Sequence, residues 1–385
     1  MKICYVYADS NGEWNCSQYI AIDPMNAINK TGIHSATSMH INEFIANSPE
    51  SQKKISEADI VLVERNLFHD TLTMIQFYKT RGQNFLSAFD DAYSFMHPKN
   101  VSYSFWAKNE MKYKDAEGNE QTGILNPTPL TQLGWGISMC KGLQVVSQAL
   151  VDDWAHCNDG YIINHHIVVD KYLGEIEPMF PHDGIWIGWS GSMSHVDSFQ
   201  SSGLLRALTK VVNRHKGVKV LMTGDKRVFD LVDVPPDKKM YCPYVPAESY
   251  PSLLRSLDIF TIPLAGEYDK RRSQIKPVEA MALKIPFLAT RFPNYAHLEE
   301  YGNFTDNDWH NWTDRLSEMI ENLPKYKEKA VEVGFPFAMT QDIDLHVQER
   351  IDLYQKMIDK PYRFSYPPEQ VELERSKIKT LTQVE

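Results

Sequence analysis

The chain has few cysteines, and their arrangement excludes two classes of protein. They are odd in number, scattered and never spaced as C-x-x-C: Cys4, Cys16, Cys140, Cys157 and Cys242. Neither a disulfide framework nor a thiolate metal site is indicated by this pattern. We therefore expect a protein of a reducing compartment, the cytoplasm.

Long apolar runs and an excess of basic charge are also missing. The first run, "KICYVYA", is too short for a signal sequence or a membrane span, and no strongly basic amphipathic helix follows. The 40 basic and 50 acidic side chains leave a formal charge of −10, which disfavours wholesale binding to nucleic acid but permits a local basic patch. We expect a soluble or loosely membrane-associated protein without an integral membrane segment.

Several strings that carry catalytic chemistry are absent. The sequence contains no nucleophile elbow, P-loop or G-x-G-x-x-G string, which disfavours hydrolases, NTPases and dinucleotide-dependent dehydrogenases. His165 and His166 are adjacent, so in a strand they would point to opposite faces, and no third ligand is evident. We expect no tightly bound metal and no tightly bound cofactor.

Short apolar runs bounded by turn residues recur along the chain and alternate with helical patterns. The runs are "KICYVYA", "DIVLVER", "NFLSAFD", "LQVVSQ", "YIIN", "GIWIGWS", "VKVLMTG", "DIFTIPL" and "PFLAT". Between two of them, "GLLRALTKVVNRHK" places its apolar residues on one helical face. This alternation predicts parallel sheets in an α/β fold, and 385 residues suffice for two domains.

The pattern restarts near Gly184 after a stretch with two prolines and mixed charge. We therefore predict a first domain over residues 1–167, a linker over 168–183 and a second domain over 184–340. Residues 341–385 begin with an amphipathic helix, "DIDLHVQERIDLYQKMI", and end in a proline-broken, charged tail that packs peripherally or frays.

One segment, "YDKRRSQIKPVEAMALKIPFLAT", concentrates positive charge between two predicted strands. Its loop should lie at the carboxyl edge of a parallel sheet, where ligands of open α/β sheets bind. A helix is predicted to begin at Ser273 or Gln274, and its first amides favour an anion. Arg271, Arg272 and Lys276 add fixed charge to the same volume, so a diphosphate is the expected ligand.

Glu279 lies about one helical turn, about 5 Å, beyond these cations. A carboxylate there suits neutral hydroxyls, as on a ribose, better than phosphates. The same string also fits a solvated cationic loop in which Glu279 pairs with Arg or Lys across a helical turn.

The segment resembles the "K-S-x-I-K-x-x-E-A-x-x-x-G-x-P" signature of retaining, GT-B-type glycosyltransferases related to family four. The resemblance rests on Arg272-Ser273, Ile275-Lys276, Glu279-Ala280 and the following "ALKIPFLAT". It implies two Rossmann-like domains facing a central cleft, followed by a carboxyl-terminal helix and tail. It also implies that Arg272 and Lys276 contact the diphosphate of a nucleotide sugar and act as the catalytic cations, while Glu279 holds the ribose.

Two residues depart from that signature. Arg271 stands where the commoner signature has the first of two glutamates, which affects how the hydroxyls of the donor sugar are held. Lys284 replaces the usual glycine before Ile285-Pro286, at the end of the helix.

Further matches to the family extend the predicted donor site. "GIWIGWSGSMSH" resembles the small-residue loop that lets backbone amides approach phosphate, and "VKVLMTGD" resembles the next strand. The loop around Tyr244 and Val245 resembles the one that lies against the nucleotide base, although an ordinary strand end with a core tyrosine fits equally well. The donor-binding residues implied are Gly191, Ser192, Gly224, Tyr244, Val245, Arg271, Ser273, Gln274, Ile275 and Glu279.

The amino-terminal half carries the weaker predictions for an acceptor side. "ADSNGEWNCSQYIAIDPMNAI" resembles the first loop and helix of the family, with Asp9, Asn11 and Gly12 in the turn. The pair Asp90-Asp91 follows a predicted strand and is a candidate for binding an acceptor, with His97 nearby. More often such a pair caps the turn that follows the strand.

The resemblance implies transfer of a hexose or similar sugar from a nucleoside diphosphate to an acceptor hydroxyl, with retention of the anomeric configuration. Of the nucleoside diphosphates, UDP is the one expected. The co-substrate is then a UDP-sugar, and the acceptor is a glycan, lipid, protein, small molecule or modified nucleic-acid base. In retaining members the leaving diphosphate is thought to take the acceptor's proton, so no protein nucleophile is needed. Two alternatives remain: a nucleotide-sugar epimerase of similar fold, and a non-catalytic nucleotide-sugar-binding protein.

Overall fold

The computed structural model describes residues 1–363, apart from positions 11, 99, 101 and 116. It contains two compact units. The first unit comprises residues 1–10, 16–164 and 347–363, and the second comprises residues 12–15 and 165–346. The tail from position 364 onward, for which we predicted peripheral packing or fraying, lies outside the described residues.

The strands are short, as expected for buried parallel sheets. They are β1 (Lys2–Tyr7), β2 (Ser35–His40), β3 (Ile60–Glu64), β4 (Phe85–Ala88), β5 (Glu110–Lys114), β6 (Glu120–Ile124), β7 (Leu143–Val145), β8 (Gly160–Ile162), β9 (Ile185–Gly191), β10 (Val218–Gly224), β11 (Lys239–Cys242), β12 (Ile259–Ile262), β13 (Phe287–Thr290) and β14 (Asn303–Thr305).

The α-helices connect these strands, with single turns of 3-10 or π-helix between some of them. They are α1 (Asp23–Lys30), α2 (Ile41–Ala46), α3 (Pro49–Glu57), α4 (Asp70–Lys79), α5 (Tyr103–Lys108), α6 (Pro129–Met139), α7 (Gln148–Trp154), α8 (Val196–Ser201), α9 (Leu204–Arg214), α10 (Lys226–Asp230), α11 (Tyr250–Leu254), α12 (Gly266–Asp269), α13 (Ile275–Ala282), α14 (Trp309–Glu321), α15 (Leu323–Lys329), α16 (Phe335–Met339) and α17 (Val347–Asp359).

The first unit is built on a parallel sheet with the strand order β2-β1-β3-β4-β7-β8. Strand β3 is buried along its whole length, because helices cover both faces of such a sheet and its sequence "IVLVE" is almost entirely apolar. The strand order reverses direction between β1 and β3, so the loops after these two strands flank the switch point at which ligands of open sheets bind. An antiparallel hairpin, β5 with β6, extends from this unit.

The second unit contains a parallel sheet with the order β11-β10-β9-β12-β13-β14. This is the doubly wound order 3-2-1-4-5-6, whose switch point lies between the first and fourth strands, here β9 and β12. Helix α9 buries Leu204, Leu208 and Val211 against the sheet and packs beside α14. The segments predicted to carry an anion site are the ones that follow β9 and β12.

The last described helix, α17, belongs to the first unit. The hydroxyl of Tyr354 lies 3.0 Å from that of Tyr5 in the central strand β1, and Lys141 Nζ donates to the carbonyl of Ile358. These contacts fix the position of the amphipathic helix that the sequence predicted. Within the part of the chain that the structure describes, no helix is both long enough and apolar enough to cross a membrane.

Candidate active site

The candidate site lies at the carboxyl edge of the sheet in the second unit, where two glycines shape the ends of β9 and β10. Gly224 has φ +102°, and a Cβ there would lie 2.2 Å from the carbonyl oxygen of Gly191. A Cβ at Gly191 would lie 2.6 Å from the ring of Trp189. Both predicted positions therefore require glycine for close packing, and Gly224 also requires it for its backbone conformation.

A buried carboxylate, Asp269, organises the loop between β12 and α13. Its side chain is 1% exposed and accepts hydrogen bonds from the amide of Ala265 (2.7 Å), Ser198 Oγ (2.5 Å) and Arg272 Nε (2.5 Å). Asn294 Nδ2 donates to the carbonyls of residues 269 and 272, 3.0 Å each. Sequence reasoning missed Asp269; its only local signal is an acid three residues before an arginine.

Arg272 is held in one orientation by these contacts. Its Nη2 donates to the carbonyl (3.0 Å) and the hydroxyl (3.1 Å) of Ser194, in the loop after β9. The guanidinium thus joins the loops after β9 and β12 across the switch point. Because Asp269 and Ser194 both bond its guanidinium, Arg272 is fixed in position before any ligand arrives. Asp269 also offsets part of its positive charge.

Arg271 has a different partner. Its Nη1 donates to the carbonyl (2.8 Å) and a carboxylate oxygen (3.2 Å) of Glu267 in α12, and the residue is 8% exposed. Lys270 pairs with the same glutamate. The two adjacent arginines are therefore bound to separate carboxylates, Glu267 and Asp269.

Lys276 lies in the first turn of α13, which begins at Ile275, one or two residues after the predicted start at Ser273 or Gln274. Its Nζ donates to the carbonyl of Ser190 (2.5 Å), near the end of β9, and lies 4.9 Å from the ring centroid of Trp14. The residue is 9% exposed. The ammonium group is thus positioned at the carboxyl end of β9, beside an aromatic face.

His195 lies beside the two cations and was not selected from the sequence. Burial, together with the charges of Arg272 and Lys276, holds the pKa of its imidazole well below the usual range. The ring is therefore neutral at physiological pH and adds no charge to the site. It also packs edge-on against Trp189 in β9.

Glu279 is fully buried on the following turn of α13. Its two carboxylate oxygens accept hydrogen bonds from the hydroxyls of Tyr172 (3.2 Å) and Tyr250 (3.5 Å). Burial, followed by the charge of Glu279, raises the pKa of Tyr250 well above its usual value. Two neutral tyrosine hydroxyls thus donate to the carboxylate that was predicted to bind the hydroxyls of a ribose.

The remaining donor-side residues surround this centre. The carbonyl of Ser273 accepts from Tyr295, and the side chain of Gln274 bonds to those of Gln341 and His297. These contacts of Ser273 and Gln274 lie within the second unit, and they hold the loop before α13 in place.

Nearer the end of β9, Ser192 Oγ lies 2.7 Å from Ser194 Oγ. Tyr244 is 41% exposed, which argues against a core tyrosine, and its hydroxyl lies 3.5 Å from the carbonyl of Gly191. The carbonyl of Val245 accepts from the amide of Trp14 (3.2 Å).

The predicted acceptor-side residues divide between the two units. Asp9 belongs to the first unit, where its side chain pairs with Arg65 and accepts from the amide of Ser17. Gly12 belongs to the second unit, because its carbonyl accepts from the amide of Ala247 (3.1 Å). Asn11 lies outside the described residues.

The pair Asp90-Asp91 follows β4 in the first unit and lies near a buried carboxyl group that sequence reasoning missed, Glu64 at the end of β3. Glu64 accepts from Ser17 Oγ (2.5 Å) and the amide of Ala8 (3.0 Å) and is 2% exposed. Burial raises its pKa from 4.5 to about 7, assisted by the charges of the two aspartates. A carboxyl group that titrates near neutrality thus lies at the switch point of the first sheet.

Three histidines complete the placement of predicted residues. His97 follows the single turn Tyr93–Phe95 and is partly exposed. His165 and His166 are both buried and lie beyond the end of β8, so the opposite faces expected of neighbours in a strand do not apply to them. The ring of His166 stacks on that of His346, with centroids 3.8 Å apart.

Comparisons with known proteins agree with this architecture. Residues 184–322 match the family model described as Glycosyl transferases group 1. No curated protein sequence matches the chain.

Solved structures of glycosyltransferases are similar over nearly the whole chain. HepE of Anabaena, solved with UDP and glucose, is 12% identical, with 92% of this chain and 99% of HepE covered and a TM-score of 0.60. A glycosyltransferase from Rickettsia africae is 14% identical, with 94% and 99% covered and a TM-score of 0.59. Sucrose-phosphate synthase from Thermosynechococcus elongatus is 11% identical, with 92% and 98% covered and a TM-score of 0.59.

These structures share two Rossmann-like domains with the present chain, and the family match covers the part of the second unit that contains Arg272, Lys276 and Glu279. The chain therefore has the GT-B fold, and residues 184–322 of its second unit are similar to the group 1 glycosyl transferases.

Proposed function

We propose that the protein is a glycosyltransferase that moves a hexose from a UDP-sugar to an acceptor hydroxyl with retention of configuration. The observation that carries the proposal is the position of Lys276 and Arg272 at the switch point of a sheet whose residues match the group 1 family. The UDP bound to the similar HepE structure supports the choice of nucleotide.

In the proposed reaction, negative charge grows on the departing phosphate while the sugar becomes oxocarbenium-like. Lys276 and Arg272 stabilise that charge, together with the first amides of α13 and the backbone around Ser192. Hydrogen bonds from Arg272 to Asp269 and Ser194 support this role, because a preorganised cation needs no reorientation as charge develops.

Glu279 is proposed to bind the ribose hydroxyls and the loop at Tyr244 and Val245 to lie against the base. The tyrosine hydroxyls on Glu279 support the first assignment, since a ribose would present the same kind of donor to the same oxygens. Arg271, which stands at the position of the family's first glutamate, is proposed to contact the donor sugar after leaving Glu267.

The first unit is proposed to bind the acceptor through Asp9, Asp90, Asp91 and Glu64. Carboxylates suit an acceptor hydroxyl because they accept its hydrogen bond and raise its nucleophilicity. No covalent nucleophile is assigned, since the leaving diphosphate is proposed to take the acceptor's proton.

A two-stage experiment tests the proposal. Thermal unfolding is first measured with UDP, GDP, ADP and their hexose conjugates, because a ligand of the native state raises the melting temperature by mass action. The protein and the nucleotide–hexose conjugate that binds it are then incubated with panels of glycan, lipid and small-molecule acceptors. NMR of the anomeric proton gives the configuration of the product.

The possible results separate three functions. Transfer with retained configuration supports the proposal, and transfer with inversion rejects retention. Turnover of the donor without any acceptor identifies an epimerase, and binding without turnover identifies a nucleotide-sugar-binding protein. No melting shift with any nucleotide rejects the proposed donor site.

A further inference from the structure

The second unit includes four residues from near the amino terminus, Gly12–Asn15, here called the 12–15 segment. The amide of Trp14 donates to the carbonyl of Val245 (3.2 Å), and the amide of Ala247 donates to the carbonyl of Gly12 (3.1 Å). Glu13 and Pro246 form an antiparallel bridge between these bonds. The segment is therefore paired, strand to strand, with the loop proposed to hold the nucleotide base.

The side chain of Trp14 extends this contact to the other proposed nucleotide ligands. Its ring stacks on Tyr250 with centroids 3.9 Å apart and an interplanar angle of 13°. The hydroxyl of Tyr250 in turn lies 3.5 Å from Glu279 Oε2. Lys276 Nζ lies 4.9 Å from the centroid of the Trp14 ring, within reach of a cation–π interaction.

One four-residue segment thus engages, directly or through Tyr250, the groups proposed for base, phosphate and ribose. In this arrangement Glu279 has no exposed surface and Lys276 is only 9% exposed. Tyr172 and Tyr250 each bond one oxygen of Glu279, so a ribose can bind there only if one of them gives up its hydrogen bond. Of the two, Tyr250 is held between Glu279 and the Trp14 ring.

We propose that the 12–15 segment is an internal competitor of the nucleotide: it occupies the nucleotide subsite of the free protein and leaves when a nucleoside diphosphate binds. This inference rests on the proposed function, because it takes the donor-site assignments as given. The apparent affinity for the nucleotide is then the intrinsic affinity reduced by the fraction of molecules in which the segment has left.

Isothermal titration of the full-length protein with UDP, GDP and ADP tests this inference. Trp14→Ala removes the stacked ring, so the nucleotide that binds the wild type should bind this variant about 3- to 10-fold more tightly. Trp14→Phe keeps an aromatic face and should give an intermediate affinity. The matched control is Trp309→Ala, which removes a half-buried tryptophan of the same unit whose ring is covered by Arg206. This variant should bind the nucleotide with the affinity of the wild type.

The results distinguish the failure of the competitor from the failure of the donor site. Weaker or equal binding by Trp14→Ala, with wild-type binding intact, overturns the competitor and leaves the proposed function standing. No binding of any of the three nucleotides by any variant, all with cooperative thermal unfolding, overturns the donor site and the competitor together. Tighter binding by Trp309→Ala as well as by Trp14→Ala also overturns the competitor, because the gain would not be specific to Trp14.

Discussion

Replacing Glu64 by glutamine is expected to stabilise the first unit at pH 8 and to change its stability little at pH 5. Burial raises the pKa of this carboxyl group from 4.5 to about 7, so the folded state favours the protonated acid. Stability from this group is present below pH 4.5 and is lost as the pH rises through about 7. The rise in pKa corresponds to about 3 kcal/mol between these limits.

The neighbours of Glu64 support glutamine as a replacement. Ser17 Oγ and the amide of Ala8 donate to one carboxylate oxygen, and an amide oxygen accepts both bonds. The other oxygen lies 4.0 Å from Arg65 Nε, and the charges of Asp90 and Asp91 disfavour a further anion there. Glutamine thus keeps the hydrogen bonds and removes the ionisation that is costly above pH 7.

Urea unfolding followed by fluorescence between pH 5 and pH 8 measures the difference between variant and wild type. The exposed Glu43→Gln of the same unit is the control and should show no such dependence on pH. The reasoning is refuted if the free-energy difference between Glu64→Gln and wild type is independent of pH, or if the variant gains stability as the pH falls.

Three further substitutions test the second unit. Lys276→Ala should slow sugar transfer by on the order of 10², whereas Lys270→Ala, in the same loop but 42% exposed, should have little effect; equal rates in steady-state assays would contradict the role of Lys276. Gly224→Ala should lower the free energy of unfolding by about 3 kcal/mol or more, because its Cβ meets the carbonyl at the end of β9. Gly217→Ala has the same sign of φ but open space, so denaturant titration should show a loss of only about 1 kcal/mol, and similar losses would remove the packing argument. Asp269→Asn should lower stability by about 3 kcal/mol and weaken UDP binding, since it releases Arg272; unchanged nucleotide affinity in calorimetry would exclude that positioning role.

The central strands of both sheets were predictable because their sequences are apolar. Strands β1, β3, β9 and β12 are buried along most of their length, and each coincides with a predicted run. The sequence did not reveal β2, β11 and β14, which lie at the edges of the sheets. An edge strand has one neighbour and less buried surface, so "SATSMH" and "KMYC" need not be apolar.

Part of the candidate site was also predictable, because the residues that begin and end α13 lie in one short stretch of the sequence. The start of α13 agrees with the prediction to within two residues, and Lys284 has φ +58°, the left-handed conformation in which the family has glycine. The contacts of Glu279 were not predictable. Its partners are Tyr172 and Tyr250, separated from it by 107 and 29 positions, and no periodicity of the sequence joins them.

The pairing of Arg272 with Asp269 would let an acidic protein hold the proposed diphosphate. A set of unpaired arginines would repel one another, and each would lose side-chain entropy when a ligand arrives. Asp269 offsets part of the positive charge and fixes one guanidinium against Ser194, so folding supplies the orientation. The amides of α13 and the ammonium of Lys276, both at the same edge of the sheet, would then attract the proposed anion. Positive charge is thus placed locally at the switch point, where β9 and β12 end, and this is compatible with a net charge of −10 over the whole chain.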